Sequence, residues 1–326
     1  MKSLMDILLS PWTNRVLSTA VRLRIFTILA DQSMTVEEIS SRMGTATQHL
    51  KPFLDACASL DLLLYQEGQY SNSQFNQVHL VEGKPGYVGD FIQMVSAESK
   101  QWDDLHGLIG RSDDDPSDRS EGEADARKFT LAMNNIGMLG EAEALADAVD
   151  LGDCRKMVDA GGGSGLYSVY LCQKFPHLRS VVIDKPETLV AAREMIAGRV
   201  EEDRIELLEA DIAIDPLGKN VDAVLLSDVL YEDSFAEKVL KNARTSLGDN
   251  GLLIIRGYYY DPANPKSRFS ALFRLNIIVF TPNGSILTLE SMKKKVADMG
   301  FTIVRVTPLT ELSSLILARK QGGSVH

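Results

Sequence analysis

The nine residues Val158-Asp159-Ala160-Gly161-Gly162-Gly163-Ser164-Gly165-Leu166 decide how the rest of the chain is read. An apolar run enters a glycine cluster, and an apolar helical pattern at 166–175 leaves it. Glycines let a ligand come close to the backbone. The start of a helix offers N–H groups with no partner inside the helix. The dinucleotide fingerprint GxGxxG fails here: counted from Gly161, its third glycine would fall on Leu166. Asp159, just before the glycines, repels a pyrophosphate and welcomes a cationic amine.

Outward from this loop, strands and helices alternate. Strands are expected at 156–160, 180–184, 205–210, 223–227, 252–256, 302–307 and 314–318, and helices at 166–175, 187–198, 235–247 and 289–299. Continuous apolar strands separated by helices imply a parallel α/β sheet. Only residues 308–313 join the last two strands, too few for a parallel crossover, so the last strand is expected to run antiparallel. Upstream, Val16, Leu17, Ala20, Val21, Leu23, Ile25 and Ile28 form an apolar helical stripe. Thr35-Val36-Glu37-Glu38 has the form of a capping box and opens a helix that ends near Gly44. A helix at 47–60 and a hairpin around Glu67-Gly68 follow, together a winged-helix outline. A single helix is expected over 129–148, after an acidic connector at 113–125. The division is therefore a winged-helix dimerisation domain at 1–80, a helical linker and pocket roof at 81–150, and a Rossmann-like domain at 151–326.

Charge narrows the function classes. A net charge of -11 and a pI near 5.0 argue against a chain whose work is to hold nucleic acid or anionic lipid. In residues 1–75, Lys2, Arg15, Arg22, Arg24, Arg42 and Lys51 face Asp6, Asp31, Glu37, Glu38, Asp55, Asp61 and Glu67, so the winged helix has no basic stripe for phosphates. No apolar run approaches the roughly 20 residues of a membrane span. The acid at Asp6 interrupts what would be a leader's apolar core, and the expected location is the cytoplasm. Cys57, Cys154 and Cys172 lie far apart without CxxC spacing, so neither a metal site nor a disulfide framework is expected.

S-adenosylmethionine (SAM) fits the loop, since it carries an ammonium, a sulfonium, a ribose and an adenine but no phosphate. Asp184 ends the second strand, 25 positions after Asp159, close to the spacing of an acid on ribose hydroxyls. Asp211 ends the third strand, where a carboxylate can accept from an adenine amino group. Gly161 and Gly163 supply the close backbone approach.

The glycine loop, then Val182-Ile183-Asp184-Lys185-Pro186, then Ala210-Asp211-Ile212, resemble successive motifs of the class I SAM-dependent methyltransferases. More narrowly, the chain resembles the winged-helix small-molecule O-methyltransferases: the caffeate, acetylserotonin and bacterial antibiotic and pigment enzymes. Phe129-x-x-Ala132-Met133 and Met299-Gly300-Phe301 fit that family too. The resemblance implies that Gly161, Asp184, Asp211 and Ile212 contact SAM, and that Met133 and Asn276 line the acceptor pocket. It also implies an intertwined homodimer whose first helices reach the partner's pocket.

The chain departs from the family at the expected base. The family's His, in a Leu-His-Asp-Trp context, is Tyr231 in Ser227-Asp228-Val229-Leu230-Tyr231-Glu232-Asp233, and the family's cofactor-touching Lys is Ser227. Among the histidines, only His106 lies in the segment expected to roof the pocket. Three readings of Tyr231 stand. It hydrogen-bonds an acceptor needing little help, such as an electron-rich carbon; it works with Glu232 as an alternative base for a hydroxyl; or methyl transfer is lost and a SAM-binding regulator or scaffold remains. Tyr258-Tyr259-Tyr260 and the segment holding Phe269, Phe273, Leu275, Ile277, Ile278 and Phe280 point to a planar, largely apolar small-molecule acceptor.

Overall fold

The structure is a computed structural model that describes residues 4–97, 102–103, 105–109, 126–260, 268–280, 287–310 and 312–321; the acidic connector lies outside them. The chain forms two compact units, Met1–Lys100 and Gln101–His326.

The first unit contains α1 (Leu4–Arg22), α2 (Ile25–Ile28), α3 (Val36–Met43), α4 (Thr47–Ser59), the hairpin β1 (Leu64–Gln66) and β2 (Gln69–Ser71), α5 (Gln74–His79) and α6 (Gly89–Ala97). The capping box forms: Glu38 N–H donates to Thr35 Oγ1 at 3.3 Å, and Thr35 N–H donates to Glu38 Oε2 at 2.7 Å. Ile25, Phe26, Ile39, Leu54 and Cys57 fill the core, each fully buried. α6 packs against α1, where Arg15 donates to Ser96 and Gln93 donates to the Ser18 carbonyl. The N-terminal turns of α1 leave Leu4, Met5, Ile7, Leu8 and Trp12 exposed, Leu4 and Trp12 each by 71%.

In the second unit, α7 (Leu105–Ile109), α8 (Ala126–Ile136) and α9 (Ala142–Ala148) precede the sheet. Then follow β3 (Lys156–Ala160), α10 (Leu166–Lys174), β4 (Arg179–Asp184), α11 (Pro186–Ile196), β5 (Ile205–Glu209), β6 (Val221–Ser227), α12 (Asp233–Ser246), β7 (Leu247–Gly257), α13 (Arg268–Phe280), α14 (Leu289–Asp298), β8 (Phe301–Pro308) and β9 (Ser314–Lys320). The sheet order is β5-β4-β3-β6-β7-β9-β8. The first five strands are parallel, and β9 enters antiparallel between β7 and β8, as the short 308–313 connection requires. Apolar side chains on both faces of β3, β6 and β7 meet two cores. α12 and α14 supply Val239, Leu240 and Met292 to one, and α9, α10 and α11 supply Leu145, Val169 and Leu189 to the other. The order reverses between β3 and β6, so a crevice opens at their C-terminal ends, where ligands bind in such sheets.

One expectation needs correction. The single helix at 129–148 is broken by a wide turn, Gly137–Glu141, in which Gly140 has φ +101°. This break re-aims Glu141 into the interior, where its carboxylate meets Arg256. Within 81–150, α6 belongs to the first unit, and α8 and α9 belong to the second.

The glycine loop is tightly constrained. Gly161 has φ +73°, and a Cβ there would lie 2.5 Å from Val229 Cγ1. Gly161→Ala is therefore expected to lower stability by about 1–2 kcal/mol for the left-handed backbone alone, with a further cost for moving Val229. Urea unfolding at constant m-value checks this, and an unchanged midpoint would contradict it.

Candidate active site

Every parallel strand delivers a polar residue to the same edge. Near the end of β3, Asp159 is fully buried beneath Gly162, its Oδ2 accepting from Ser168 Oγ at 2.7 Å and its Oδ1 without a partner. Burial, opposed by the Ser168 hydrogen bond and helped by the nearby Asp184 charge, pushes its carboxyl up to about 7. After β4, Asp184 accepts from the Gly163 N–H at 2.9 Å and from the Lys185 N–H at 2.8 Å, which fixes the glycine loop to the neighbouring strand. After β5, exposed Asp211 folds its turn by accepting from Ala213 N–H, and Ile212 is buried against the space beside Gly161. Nothing lies within 4 Å of a Cβ at Gly163, so the loop's outer face is open there. Ser227, at the end of β6, has a buried hydroxyl without a partner.

Beyond β6 and β7 the lining becomes aromatic. Tyr231 meets Phe273 edge-on at 6.3 Å, Phe273 stacks on Phe269 at 5.3 Å, and Tyr258 stands edge-on to Phe273 at 5.0 Å. Burial, with the neighbouring Tyr258, Tyr167 and Tyr259 adding to it, pushes the Tyr231 phenol well above its ordinary value, so it is a neutral hydrogen-bonding group. Glu232 does not join this cluster: it is exposed and accepts from Ser234 Oγ at 2.6 Å. Asn276, one turn beyond Phe273, accepts from Trp102 Nε1 at 3.0 Å. Met133 is 36% exposed on α8, and His106 is exposed on α7.

Sequence reasoning missed a buried charge cluster behind the aromatics. Arg256, 1% exposed at the end of β7, donates through Nη2 and Nε to Glu141 Oε2, at 2.5 and 3.2 Å. Its Nη1 pairs with Asp228 Oδ2, and its guanidinium lies 4.4 Å from the Tyr258 ring centre. Glu141 also accepts from Thr310 Oγ1 at 2.6 Å and Ser313 Oγ at 2.5 Å. Burial would raise the Glu141 carboxyl, but Arg256 and the two hydroxyls outweigh it and hold it below its ordinary value. The available signal was an arginine ending the otherwise apolar run Leu252-Leu253-Ile254-Ile255. Among the described residues, no group of His, Cys, Asp and Glu is placed to hold a metal ion. No described helix is long and apolar enough to cross a membrane.

Comparison with known proteins bears directly on this arrangement. The family model described as the O-methyltransferase domain matches residues 90–302, and the O-methyltransferase dimerisation domain matches residues 5–82. The chain belongs to the O-methyltransferase family. This methyltransferase is 31% identical over 289 residues, 85% of the chain, to 83% of the 3-hydroxy-5-methyl-1-naphthoate 3-O-methyltransferase of Streptomyces sahachiroi. It is 27% identical over 325 residues, 94% of the chain, to 93% of the tetracenomycin polyketide synthesis 8-O-methyl transferase TcmO of Streptomyces glaucescens. In fold, the methyltransferase matches human N-acetylserotonin methyltransferase in complex with SAM. The TM-score is 0.85 at 23% identity, over 98% of this chain and 97% of that one. The family uses SAM, and the site of this methyltransferase fits it: an open face at Gly163, an unpartnered buried carboxylate oxygen on Asp159 and an unpartnered hydroxyl on Ser227.

The raised Asp159 carboxyl has a measurable consequence. At pH 6 it is mostly protonated, and the ammonium and sulfonium of bound SAM favour its charged form, so binding should release close to one proton. At pH 8 the carboxyl is already ionised and little release is expected. Calorimetry in buffers of different ionisation enthalpy reads this directly. Asp159→Asn should abolish the release, and a pH-independent wild type would contradict it.

Proposed function

We propose that this chain transfers a methyl group from SAM to a hydroxyl of a planar, largely aromatic small molecule of secondary metabolism, working in the cytoplasm as a homodimer. The observation that carries the reading is the cluster of Tyr231 and Tyr258, just past β6 and β7, with Phe269 and Phe273 of α13. Flat apolar rings recognise flat acceptors, and the named acceptors of the two Streptomyces relatives, a naphthoate and a polyketide, are of that kind.

SAM supplies an electrophilic methyl on its sulfonium. The chain's part is to hold the acceptor oxygen in line with it and to keep water out, and positioning of this sort provides much of the rate. Asp159, Gly161, Gly163, Asp184, Asp211, Ile212 and Ser227 form the cofactor side in this reading, and Met133, Asn276 and the aromatic cluster the acceptor side. Tyr231 positions the acceptor oxygen through its neutral hydroxyl.

The test is methyl incorporation from labelled SAM into a panel of hydroxynaphthalenes. Product methyl ethers are expected, and SAM binding without any transfer would favour a binding-only protein. Tyr231→Phe should slow turnover by roughly tenfold to a hundredfold, about 1.4–2.7 kcal/mol of barrier, with SAM affinity unchanged. A loss of many thousandfold would make the phenol the base.

The dimerisation segment at 5–82 and the exposed apolar residues of α1 support the homodimer. Helices α2, α3 and α4 with the β1–β2 hairpin give this unit a winged-helix form in the same reading. Light scattering at micromolar concentration should return twice the 35.9 kDa chain mass. Trp12→Glu, which places a charge on the apolar face, should shift the protein toward monomer, and a wild-type monomer would refute the assembly.

A further inference from the structure

We infer that Asp228, held by Arg256, is the catalytic residue that accepts the proton of the acceptor hydroxyl. The inference rests on the acceptor class proposed above.

Asp228 is the residue that follows β6, three positions before Tyr231. Its backbone is left-handed, with φ +54°, and its N–H donates to the Arg256 carbonyl at 3.0 Å. Asp and Asn tolerate this conformation better than other side-chain-bearing residues. Asp228 lines the same small cavity as Tyr231, Tyr258 and Tyr259. Oδ2 is committed to Arg256 Nη1, while Oδ1 is buried and has no hydrogen-bond partner.

An ionised carboxylate only accepts hydrogen bonds, so this oxygen calls for a donor, and a buried one left unmet is costly. Glu141 takes two nitrogens of Arg256 and two hydroxyls, and so engages most of the guanidinium's charge. Arg256, Glu141 and Asp228 together carry one excess negative charge, and it resides beside the small cavity that Tyr231 and Tyr258 line. The exposed Glu232 carboxylate, already bonded to Ser234, has no comparable placement.

In the step, the acceptor O–H bond breaks and its proton passes to Oδ1 of Asp228. The oxygen lone pair forms the new O–C bond, and the C–S bond of the sulfonium breaks with its electrons left on sulfur. A free phenol, with a pKa of about 10, gives up its proton reluctantly, but its oxygen becomes strongly acidic as the methyl bond forms. The proton leaves Asp228 for solvent after the methyl ether departs.

The test compares wild type and Asp228→Asn on two acceptors: 1-naphthol, neutral at pH 7, and 2,4-dinitro-1-naphthol, already ionised at that pH. Asn keeps the shape and the left-handed turn, and Asp228→Gly serves as a second variant that the same backbone admits. Turnover of 1-naphthol should fall at least a hundredfold in both variants. Turnover of the ionised acceptor should fall less than about fivefold, with SAM affinity held within about twofold. Equal losses on the two acceptors would reduce Asp228 to an anchor for Arg256 and overturn the assignment, as would a loss under threefold on 1-naphthol. A wild type that binds SAM but methylates neither naphthol nor any hydroxynaphthalene removes the acceptor class, and this inference with it.

Discussion

A guanidinium with 1% of its surface exposed sets the terms for the acceptor half of this protein. Arg256 is never neutral in a protein, so its burial at the end of β7 is tolerable only if opposing charges and hydrogen bonds surround it. Glu141 provides the main compensation, and removing one member of such a buried pair typically costs about 3–5 kcal/mol. The geometry around it follows. The helix before the sheet breaks at Gly140 so that Glu141 turns inward. The β8–β9 turn lends Thr310 and Ser313 to the same carboxylate. The backbone after β6 goes left-handed and delivers Asp228 to the remaining nitrogen.

The cofactor half is built on the opposite logic, with glycines and backbone N–H groups rather than buried ions. Asp184 ties the loop to β4 through the Gly163 N–H, and Gly161 admits Val229 from beyond β6. That contact links the two halves: the segment carrying Asp228 and Tyr231 rests its Val229 against the glycine loop. A direct packing contact within the second unit therefore couples the glycine loop to the segment that carries Asp228 and Tyr231.

Much of this was legible in the chain because its signals are local. Strand positions, the antiparallel last strand and the strand-end acids Asp159, Asp184 and Asp211 follow from periodicity, connection length and a glycine loop. The charge cluster was not legible because its partners are distant: Arg256 and Glu141 are 115 residues apart, and no local pattern pairs them. Glycines inside a helical run weaken it without forbidding it, so Gly137 and Gly140 did not by themselves fix the break that Arg256 motivates from afar. Glu232 stood next to Tyr231 in the chain, but it sits at the N-cap position of α12 with its side chain exposed and bonded to Ser234; Asp228, read past as part of the approach to Tyr231, lines the cavity. Adjacency in sequence was a poor guide at the end of a strand, where each successive residue leaves in a different direction.

The contacts of Glu141 with Thr310 and Ser313, separated by 169 and 172 residues, also bear on the order in which the molecule assembles. A chain made from its N-terminus forms β3, β4 and β5 and the glycine loop from a local stretch ending at Glu209, with short loops to close. Glu141 and Arg256 are not fully shielded until the turn at 310–313 has emerged and β9 has threaded between β7 and β8. The charge cluster that begins at Glu141 is thus closed by residues that lead into the last strand, which lies between β7 and β8.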